Sequence, residues 1–258
     1  MSKSERHAQI LRFLEEEGRI DVAELARRLD SSEITTRRDV SSLALAGHVE
    51  RVHGAVLRSA GRFAERPFHV REELAAAAKS AIAAEAASLV KDGDAIALDV
   101  GSTVLGMVEH LVSIAELTIV TANLRTAWAV SMSEELRTPH RLIVAGGVVR
   151  PGETSMYGEG AIQQLRRTRL DTAFLGVAGL SPGAGLTDFN LDTAEIKRVM
   201  IQTARRRVVL ADSTKLDVQR FAHVADVEEI DLLITDTEAD PKTVSAIREL
   251  GVEVRMVA

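Results

Sequence analysis

The chain has 258 residues, enough for two domains, and 46% hydrophobic with 27% charged residues is typical of a globular protein. It contains no cysteine, which excludes a disulfide, a thiolate nucleophile and a cysteine-ligated metal site. The net charge of −6 disfavours a broad basic surface, and no apolar run reaches the ~20 residues that a membrane helix needs. Because the polar N-terminus lacks a signal-peptide core, we expect a cytoplasmic protein without membrane contact.

Three short helical patterns occupy the beginning of the chain. Residues 6–17 form the first, and Gly18 follows where a left-handed C-terminal cap is easiest for glycine. Residues 21–24 have the spacing of a capping box, which predicts the start of a second helix. After a turn at Asp30-Ser31, Ser32 is the expected N-cap of a third helix. The side chains expected to face inward are Leu25, Ala26 and Leu29 of the second helix and Thr36, Val40 and Leu43 of the third.

Polar side chains occupy the outer surface of the third helix and a hairpin that follows it. The outer positions of the helix are Thr35, Arg37, Arg38 and Ser42, Gly47 ends it, and the hairpin tip carries Arg51, His53 and Gly54. A recognition helix presents its first turns to DNA base edges, where arginine pairs with guanine and hydroxyls contact phosphates. Adjacent arginines are also compatible with a solvated helix surface. The order of three helices, short turns and a hairpin favours DNA contact.

These elements predict a winged helix-turn-helix domain in residues 1–58. Ten Lys/Arg and ten Asp/Glu leave this segment without net charge, so its affinity for double-stranded operator DNA must rest on a few side chains. The predicted DNA-binding residues are Ser32, Thr35, Arg37, Arg38, Arg51, His53 and Gly54.

Residues 6–57 resemble the helix-turn-helix of the DeoR family of bacterial transcriptional regulators. The family motif runs from a serine through Thr-Ile-Arg-Arg-Asp-Leu and a glycine to an Arg-x-His-Gly-Gly-Ala wing. The positions that match it are Ser32, Thr35, Arg37, Arg38, Asp39, Gly47, Arg51, His53 and Gly54. The chain departs from the motif at Thr36, Val40 and Ala55. We expect the inward-facing Thr36 hydroxyl to bond to the carbonyl four residues earlier.

A second, larger domain is predicted in residues 73–258, after a linker in residues 59–72 that contains Gly61 and Pro67. Its strand-like runs are residues 95–98, 117–121, 141–145, 172–177, 207–211, 232–235 and 252–257. Its helical patterns are residues 72–90, 103–111, 123–131, 160–167, 191–204 and 241–250. This alternation predicts an α/β fold with a mostly parallel sheet and helices on both faces. Ligands of such sheets bind at the carboxyl ends of the strands.

The first of these strands ends at Asp99 and leads through Gly101, Ser102 and Thr103 into a helix. Small residues let backbone amides approach an anion and the two hydroxyls add donors, so this turn is a candidate phosphate site. An ordinary strand-to-helix turn has the same outline. There is neither a Walker lysine loop nor a G-x-G-x-x-G motif, and the seven histidines show no metal-ligand spacing. We therefore predict no cofactor and no metal site.

Other polar residues near the strand ends complete the predicted effector site. Asn123 follows the second strand, and Gly146 and Gly147 follow the third. Lys215 lies just beyond the fifth strand, where it can pair with a phosphate, and Glu195 belongs to the helix before that strand. The predicted effector-binding residues are Asp99, Gly101, Ser102, Thr103, Asn123, Gly146, Gly147, Glu195 and Lys215.

Residues 75–236 resemble the sensor domain of the DeoR family, which is similar in fold to ribose-5-phosphate isomerase. The resemblance implies a phosphate loop at residues 101–103, an Ala-Asp-x-Ser/Thr-Lys run at residues 211–215 and a matching glutamate at Glu195. Where the isomerases carry Asp-Gly-Ala-Asp-Glu, this chain has Phe174 and Leu175 in place of two carboxylates. Their lysine-bearing glycine loop is present here without a lysine. The resemblance therefore implies retained phosphate contacts and depleted acid–base groups.

The leading hypothesis is a DNA-binding transcriptional regulator, a repressor of a carbohydrate-utilisation operon, without enzyme activity. Its larger domain would bind a phosphorylated sugar and form a homodimer or homotetramer, because operators are two-fold symmetric. One alternative is a sugar-phosphate isomerase-like enzyme with an appended DNA-binding head, in which Glu195 and Lys215 act. A second alternative is an oligomeric scaffold whose pocket no longer binds a ligand.

Overall fold

The computed structural model describes residues 3–45, 48–52, 54–58, 65–134, 136 and 140–258, without the side chains of residues 44, 45, 50–52 and 58. The chain forms two units, Met1–Glu65 and Arg66–Ala258, and each has a hydrophobic core of its own. Within the described ranges, none of the helices has the length and apolar character that a membrane crossing requires.

In its described residues the first unit has three helices and a three-stranded antiparallel sheet. The helices are α1 (Lys3–Glu17), α2 (Val22–Arg28) and α3 (Glu33–Leu45), and the strands are β1 (Arg19–Asp21), β2 (Val49–Val52) and β3 (Ala55–Arg58). The sheet order is β1-β3-β2, so the predicted hairpin gains a third strand that lies outside the predicted elements. All six side chains expected to face inward from the second and third helices are buried, which confirms the predicted core.

Two local hydrogen bonds explain where helices of this unit end and begin. Gly18 has a φ of +72° and donates from its amide to the Leu14 carbonyl at 3.0 Å, which ends α1 as predicted. Ser32 Oγ accepts from the Thr35 amide at 3.2 Å, so the predicted N-cap of α3 is confirmed.

The predicted capping box of α2 is wrong, although the helix does follow Asp21. The Asp21 side chain makes no capping hydrogen bond. The Glu24 carboxylate accepts instead from Arg28 Nε at 2.7 Å and from Arg27. Since these arginines occupy the last turn of the helix, Glu24 is directed along the helix rather than back to its N-terminus.

The second unit alternates strands and helices along the chain. The helices of its described residues are α4 (Phe68–Glu73), α5 (Ala76–Ala87), α6 (Ser102–Gly106), α7 (Leu124–Met132), α8 (Glu159–Arg166), α9 (Leu191–Thr203) and α10 (Pro241–Glu249). The strands are β4 (Ala95–Leu98), β5 (Thr118–Thr121), β6 (Arg141–Val144), β7 (Val148–Val149), β8 (Met156–Tyr157), β9 (Leu170–Gly176), β10 (Gly179–Ser181), β11 (Gly185–Asp188), β12 (Ala204–Leu210), β13 (Ala222–Ala225), β14 (Leu232–Asp236) and β15 (Glu253–Val257).

A parallel sheet runs through this unit in the order β15-β14-β12-β9-β4-β5-β6. Every neighbouring pair in it is parallel, which confirms the predicted α/β architecture. Successive side chains enter cores on opposite faces, since Phe174 packs on the side of α5 and α6 whereas Leu175 packs on the side of α8, α9 and α10. The carboxyl ends of β4, β9 and β12 consequently share one edge of the sheet.

The helix predicted for residues 72–90 is interrupted. Helix α4 ends at Glu73 and α5 begins at Ala76, because Ala75 adopts a left-handed φ of +52° at a cost on the order of 1 kcal/mol. Two contacts offset that cost: Phe68 of α4 is buried, and Lys79 Nζ donates to the Arg71 carbonyl. Helix α4 therefore packs against α6 and bonds to α5, and all but its last residue belong to the predicted linker.

Candidate functional site

The outer face of α3 carries the two arginines predicted to contact DNA. Both side chains are exposed, and Arg37 contacts Glu33 at 3.5 Å in a solvated pair one helical turn apart. Such pairs contribute only about 0.3–0.5 kcal/mol. Arg38 has no hydrogen-bond or ion-pair partner among the described residues. Both guanidinium groups can therefore reach phosphates or base edges.

The remaining predicted DNA contacts divide between the start of α3 and the wing. Ser32 Oγ lies 2.9 Å from Thr35 Oγ1 and also caps the helix, so these hydroxyls order its first turn. Gly54 is exposed at the turn between β2 and β3, with a φ of +75° that favours glycine. The side chain of Arg51 and the whole of Gly47 and His53 lie outside the described residues.

A buried ion pair fixes α3 against α1. The Asp39 carboxylate accepts from Arg6 Nε at 2.6 Å and lies 3.3 Å from His7 Nε2. Burial alone would raise the pKa of Asp39, but the hydrogen bond and charge of Arg6, with a smaller effect of His7, hold the pKa below its usual value. Because Asp39 directly follows Arg38, this contact sets the orientation in which α3 presents its arginines. A partner 33 residues away cannot be recognised from local sequence.

The hydroxyl of Thr36 is satisfied in a way that differs from the prediction. Its Oγ1 lies 2.7 Å from Ser31 Oγ rather than bonding to a helix carbonyl. Ser31 belongs to the turn before α3, so the contact ties this turn to the inner face of the helix. The expectation of a bond to the carbonyl four residues earlier is therefore wrong.

In the second unit, the loop after β4 approaches the end of β9 closely. Gly101 has a φ of +137°, and a Cβ at Gly176 would lie 2.6 Å from the Val100 carbonyl oxygen. This approach therefore requires glycine at the end of β9. Ser102 is half-buried and Thr103 is buried, and neither hydroxyl has a partner in the described part of the chain. The predicted phosphate loop thus keeps its hydroxyl donors uncommitted.

Asp99, at the carboxyl end of β4, belongs to a buried charge cluster. Its Oδ2 accepts from the Gly176 amide at 3.0 Å and from Lys197 Nζ. Lys197 Nζ also donates to the Gly176 carbonyl at 2.7 Å and lies 3.5 Å from Asp188 Oδ2. Burial would lower the pKa of Lys197, but the two carboxylates raise it above its usual value. The cluster joins β4, β9, β11 and α9 next to the loop that follows β4.

Glu195, in contrast, lies outside this cluster. Its carboxylate is 40% exposed and pairs with Arg198 Nη1 at 2.9 Å. Arg198 also donates to the carbonyls of His223 and Val224 on β13. Residues two apart on a helix point to different faces, so Glu195 and Lys197 cannot both face the loop after β4. The structure places Lys197, rather than Glu195, beside Asp99.

Five cationic side chains influence one another near Asp212, at the carboxyl end of β12. We call them the cation cluster: Arg66, Arg71, Lys79, Lys215 and Arg220. Burial lowers the pKa of Lys215, Asp212 opposes this effect, and the charges of three of the arginines lower the pKa further. Burial also lowers the pKa of Lys79 to about 8, with Asp212 opposing and Lys215 and Arg71 adding to the shift. Like charges gathered in a desolvated site favour an anionic ligand.

Only Lys215 of this cluster is among the predicted site residues. A sequence signal does exist for Lys79, because it shares one face of α5 with the buried Ile82, Ala83 and Ala86. Burying a lysine on an apolar helix face costs free energy of folding unless its charge is compensated, so a lysine at such a position is a candidate for a functional role. The place of Arg66 and Arg71 in this site cannot be predicted from the sequence, because both fall in the predicted linker. Only the fold of α4 brings them to this site.

Three of the predicted site residues have structural roles at the edge of the sheet: Asn123, Gly146 and Gly147. Asn123 is buried and caps α7, its Oδ1 accepting from the amides of Arg125 and Thr126 at 2.8 and 3.1 Å. The Gly146 amide donates to Gln164 Oε1 at 2.7 Å. A Cβ at Gly147 would lie 2.3 Å from the Tyr157 carbonyl oxygen, so glycine is required where β7 and β8 pair.

The two positions at which the sequence resemblance implies lost carboxylates are part of the core. Phe174 and Leu175 are fully buried on opposite faces of the sheet. Asp171 lies near the amino-terminal end of β9, where its carboxylate accepts from the Ala95 amide at 3.0 Å. In the described ranges there is no cluster of three or more histidine, aspartate or glutamate side chains placed to hold a metal ion.

Comparisons with known proteins agree with this division into two units. A family model described as the DeoR-like helix-turn-helix domain matches residues 6–60, and one described as the DeoR C terminal sensor domain matches residues 74–237. The HTH-type transcriptional regulator GolR of Listeria innocua is 33% identical, over 98% of both chains. The glycerol-3-phosphate regulon repressor of Escherichia coli is 28% identical, over 97% of this chain and 96% of its own. Ribose 5-phosphate isomerase A of Methanocaldococcus jannaschii is 21% identical, with a TM-score of 0.38 over 54% of this chain and 53% of its own.

Proposed function

Since this chain belongs to the DeoR family of transcriptional regulators and is therefore a DNA-binding protein, we propose that it represses a carbohydrate-utilisation operon under the control of a phosphorylated sugar. The cation cluster is the observation that carries the proposal. A relative named as a glycerol-3-phosphate regulon repressor supports both the sign of regulation and the phosphorylated class of effector. The isomerase alternative has no such support, because the relatives are named as regulators and Phe174 and Leu175 lie in the core.

The electrostatics of the cation cluster explain why a phosphate fits. Lys215 is half-buried, and its Nζ has no hydrogen-bond or ion-pair partner among the described residues. Two unit charges 4 Å apart interact by about 4 kcal/mol at the effective dielectric constant of a protein surface. A dianionic phosphate beside Lys215 and Lys79 therefore gains substantial attraction. It also relieves the repulsion that, after burial, helps to lower the pKa of both lysines.

The proposed effector site combines these lysines with the loop after β4. Gly101, Ser102 and Thr103 offer uncommitted hydroxyls and a close backbone, while Lys215 and Lys79 offer charge. Arg71 is itself paired with Glu153 and adds only to the electrostatic potential of the cation cluster. We assign Asp99 and Asn123 a positioning role, because their hydrogen bonds hold the loops that surround the site. Gly146 and Gly147 shape the edge of the sheet, and Glu195 is left outside the site.

A thermal-shift screen tests this proposal on the full-length protein. The panel contains ribose 5-phosphate, glucose 6-phosphate and glycerol 3-phosphate, each beside its unphosphorylated form. We expect at least one phosphorylated compound to stabilise the protein, by about 2.7 kcal/mol at 100 times its Kd. Lys215→Met should abolish the shift, whereas Lys242→Met, an exposed lysine on α10, should preserve it. Equal shifts with the unphosphorylated forms, or no shift across the panel, would contradict the proposal.

Ligand binding should also depend on pH through Lys79. Its pKa of about 8 in the unliganded protein rises when a phosphate binds nearby, so protonated Lys79 favours binding below pH 8. Affinity should fall about fivefold to tenfold between pH 7 and pH 9, as the lysine loses its proton in the unliganded state. Isothermal titration at both pH values measures this change. Lys79→Met should bind more weakly at pH 7 and show a smaller fall, and an unchanged pH profile would refute the role of Lys79.

We further propose that the regulator is a homodimer or homotetramer, as two-fold symmetric operators require. Helix α7 supports this with an exposed apolar stripe, Leu124, Trp128 and Met132, spaced four residues apart on one face. The stripe is symmetric about Trp128, so an antiparallel second copy places leucine opposite methionine.

The single tryptophan of the chain reports on this interface directly. Trp128 is 67% exposed, so its fluorescence emission should shift to longer wavelength when the oligomer dissociates on dilution. Trp128→Ser should lower the sedimentation coefficient at a concentration where the wild type is associated. Leu191→Ser, which removes an exposed apolar side chain of α9, is the matched control and should leave association intact. Association unaffected by Trp128→Ser would exclude α7 from the interface.

A further inference from the structure

An isoleucine lies exposed at the start of the recognition helix. Ile34 is the second residue of α3, and 68% of its surface is exposed, the largest value for a bulky apolar side chain among the described residues. A β-branched residue has lower helix propensity than alanine, and so little of Ile34 is buried that packing gains little from it. Its presence at this position therefore has no explanation in the folding of the first unit.

The neighbours of Ile34 give it a different context from other exposed apolar residues. Ile34, Arg37, Arg38 and Ser41 are spaced i, i+3, i+4 and i+7, so they share the outer face of α3. With Ser42 they line a shallow groove of about 450 Å³. The opposite face of the helix holds the buried core of the unit. The groove therefore combines one aliphatic side chain with two arginines and two hydroxyls.

The chemistry of this groove selects among possible partners. Two guanidinium groups on a helix surface complement a polyanion, and a winged-helix unit meets that polyanion as duplex DNA. In the major groove, guanine, cytosine and adenine present hydrogen-bonding groups, whereas thymine also presents its C5-methyl group. An isoleucine side chain cannot hydrogen-bond to these base groups, but it buries apolar surface against the thymine methyl group.

From these observations we infer that Ile34 recognises a thymine methyl group in the major groove and thereby specifies one A·T base pair in each operator half-site. Arg37 and Arg38, one turn further along the same face, would contact phosphate or guanine beside it. The inference rests on DNA contact by α3 and adds a base preference that no hydrogen-bonding residue of the helix supplies.

Replacing thymine by uracil removes only the methyl group and thus isolates this contact. Sites are first enriched from a random-sequence duplex library with the full-length protein. The enriched duplex is then synthesised with uracil in place of each thymine in turn, and binding is titrated by fluorescence anisotropy. At one position per half-site, uracil should weaken wild-type binding about fourfold, the value expected for one buried methyl-sized group.

The variant Ile34→Ala should bind the thymine and uracil forms of that position equally well. Val112→Ala shortens another exposed aliphatic side chain, in the second unit, and should keep the wild-type preference for thymine. If Ile34→Ala retains the uracil sensitivity at every position, or if the wild type shows none, the inference is overturned while DNA binding stands. If the wild type enriches no sequence at all, the assignment of α3 as the reading helix fails together with it.

Discussion

Replacing Arg37 and Arg38 together by alanine should weaken operator binding on the order of a hundredfold, because each arginine contact with DNA contributes about 1–3 kcal/mol. Both side chains are exposed on α3, so their loss should leave the thermal stability of the protein unchanged within about 0.5 kcal/mol. A mobility-shift titration with the enriched duplex measures the loss of affinity. The same titration at several salt concentrations measures how many phosphate contacts disappear, since each lost contact lowers the salt slope by about one.

The chain offers a matched control for this double variant. Arg166 and Arg167 are also adjacent and exposed, at the end of α8 in the second unit. Replacing them by alanine removes the same amount of positive charge and should leave both the affinity and the salt slope unchanged. Undiminished operator binding by the Arg37→Ala/Arg38→Ala variant would show that α3 is not the reading helix.

Lys197→Met should lower the free energy of unfolding by about 3–5 kcal/mol, the range observed when one partner of a buried ion pair is removed. Methionine fills a similar volume, but it leaves Asp99 and Asp188 buried without the ammonium group between them. Urea denaturation followed by circular dichroism measures this loss. No comparable effect is expected for Lys242→Met, whose side chain is exposed.

A second variant separates the charge from the packing of Lys197. Combining Lys197→Met with Asp99→Asn and Asp188→Asn removes the uncompensated carboxylates, and it should recover part of the lost stability. A loss below about 1 kcal/mol for Lys197→Met alone would mean that water reaches the cluster and screens it, contrary to its full burial.

The order of strands and helices is accessible from sequence because it follows from periodicity and turn chemistry. The strand-like runs of the larger domain each correspond to a strand of the parallel sheet, and Gly18 and Ser32 mark helix boundaries as expected. The break at Ala75 is different, since alanine favours a continuous helix. It arises from the burial of Phe68 and the bond from Lys79, both of which depend on tertiary packing.

The site can be predicted only in part from the sequence, because some of its residues are positioned by tertiary packing. Small residues and hydroxyls at a strand end are a local signal, and they make the loop at Gly101 and the segment that ends in Lys215 candidates from the sequence alone. Which of Glu195 and Lys197 lies beside Asp99 depends on which face of α9 meets the sheet, and the spacing of the sequence does not reveal that face. The partners of Asp39 are likewise fixed by the packing of α3 on α1 rather than by spacing.

The position of Arg66 and Arg71 in the chain has a consequence for how the regulator senses its ligand. Both follow soon after Arg58, the last residue of β3, in the part of the chain that connects the DNA-binding unit to the second unit. A ligand that interacts with their charges therefore acts close to this covalent connection. Thermodynamic linkage makes such coupling reciprocal. By whatever factor the ligand lowers the affinity for DNA, the operator lowers the affinity for the ligand. A regulator bound to its operator then has a lower affinity for the ligand than the free regulator. The metabolite concentration that lifts repression therefore exceeds the Kd of the isolated protein.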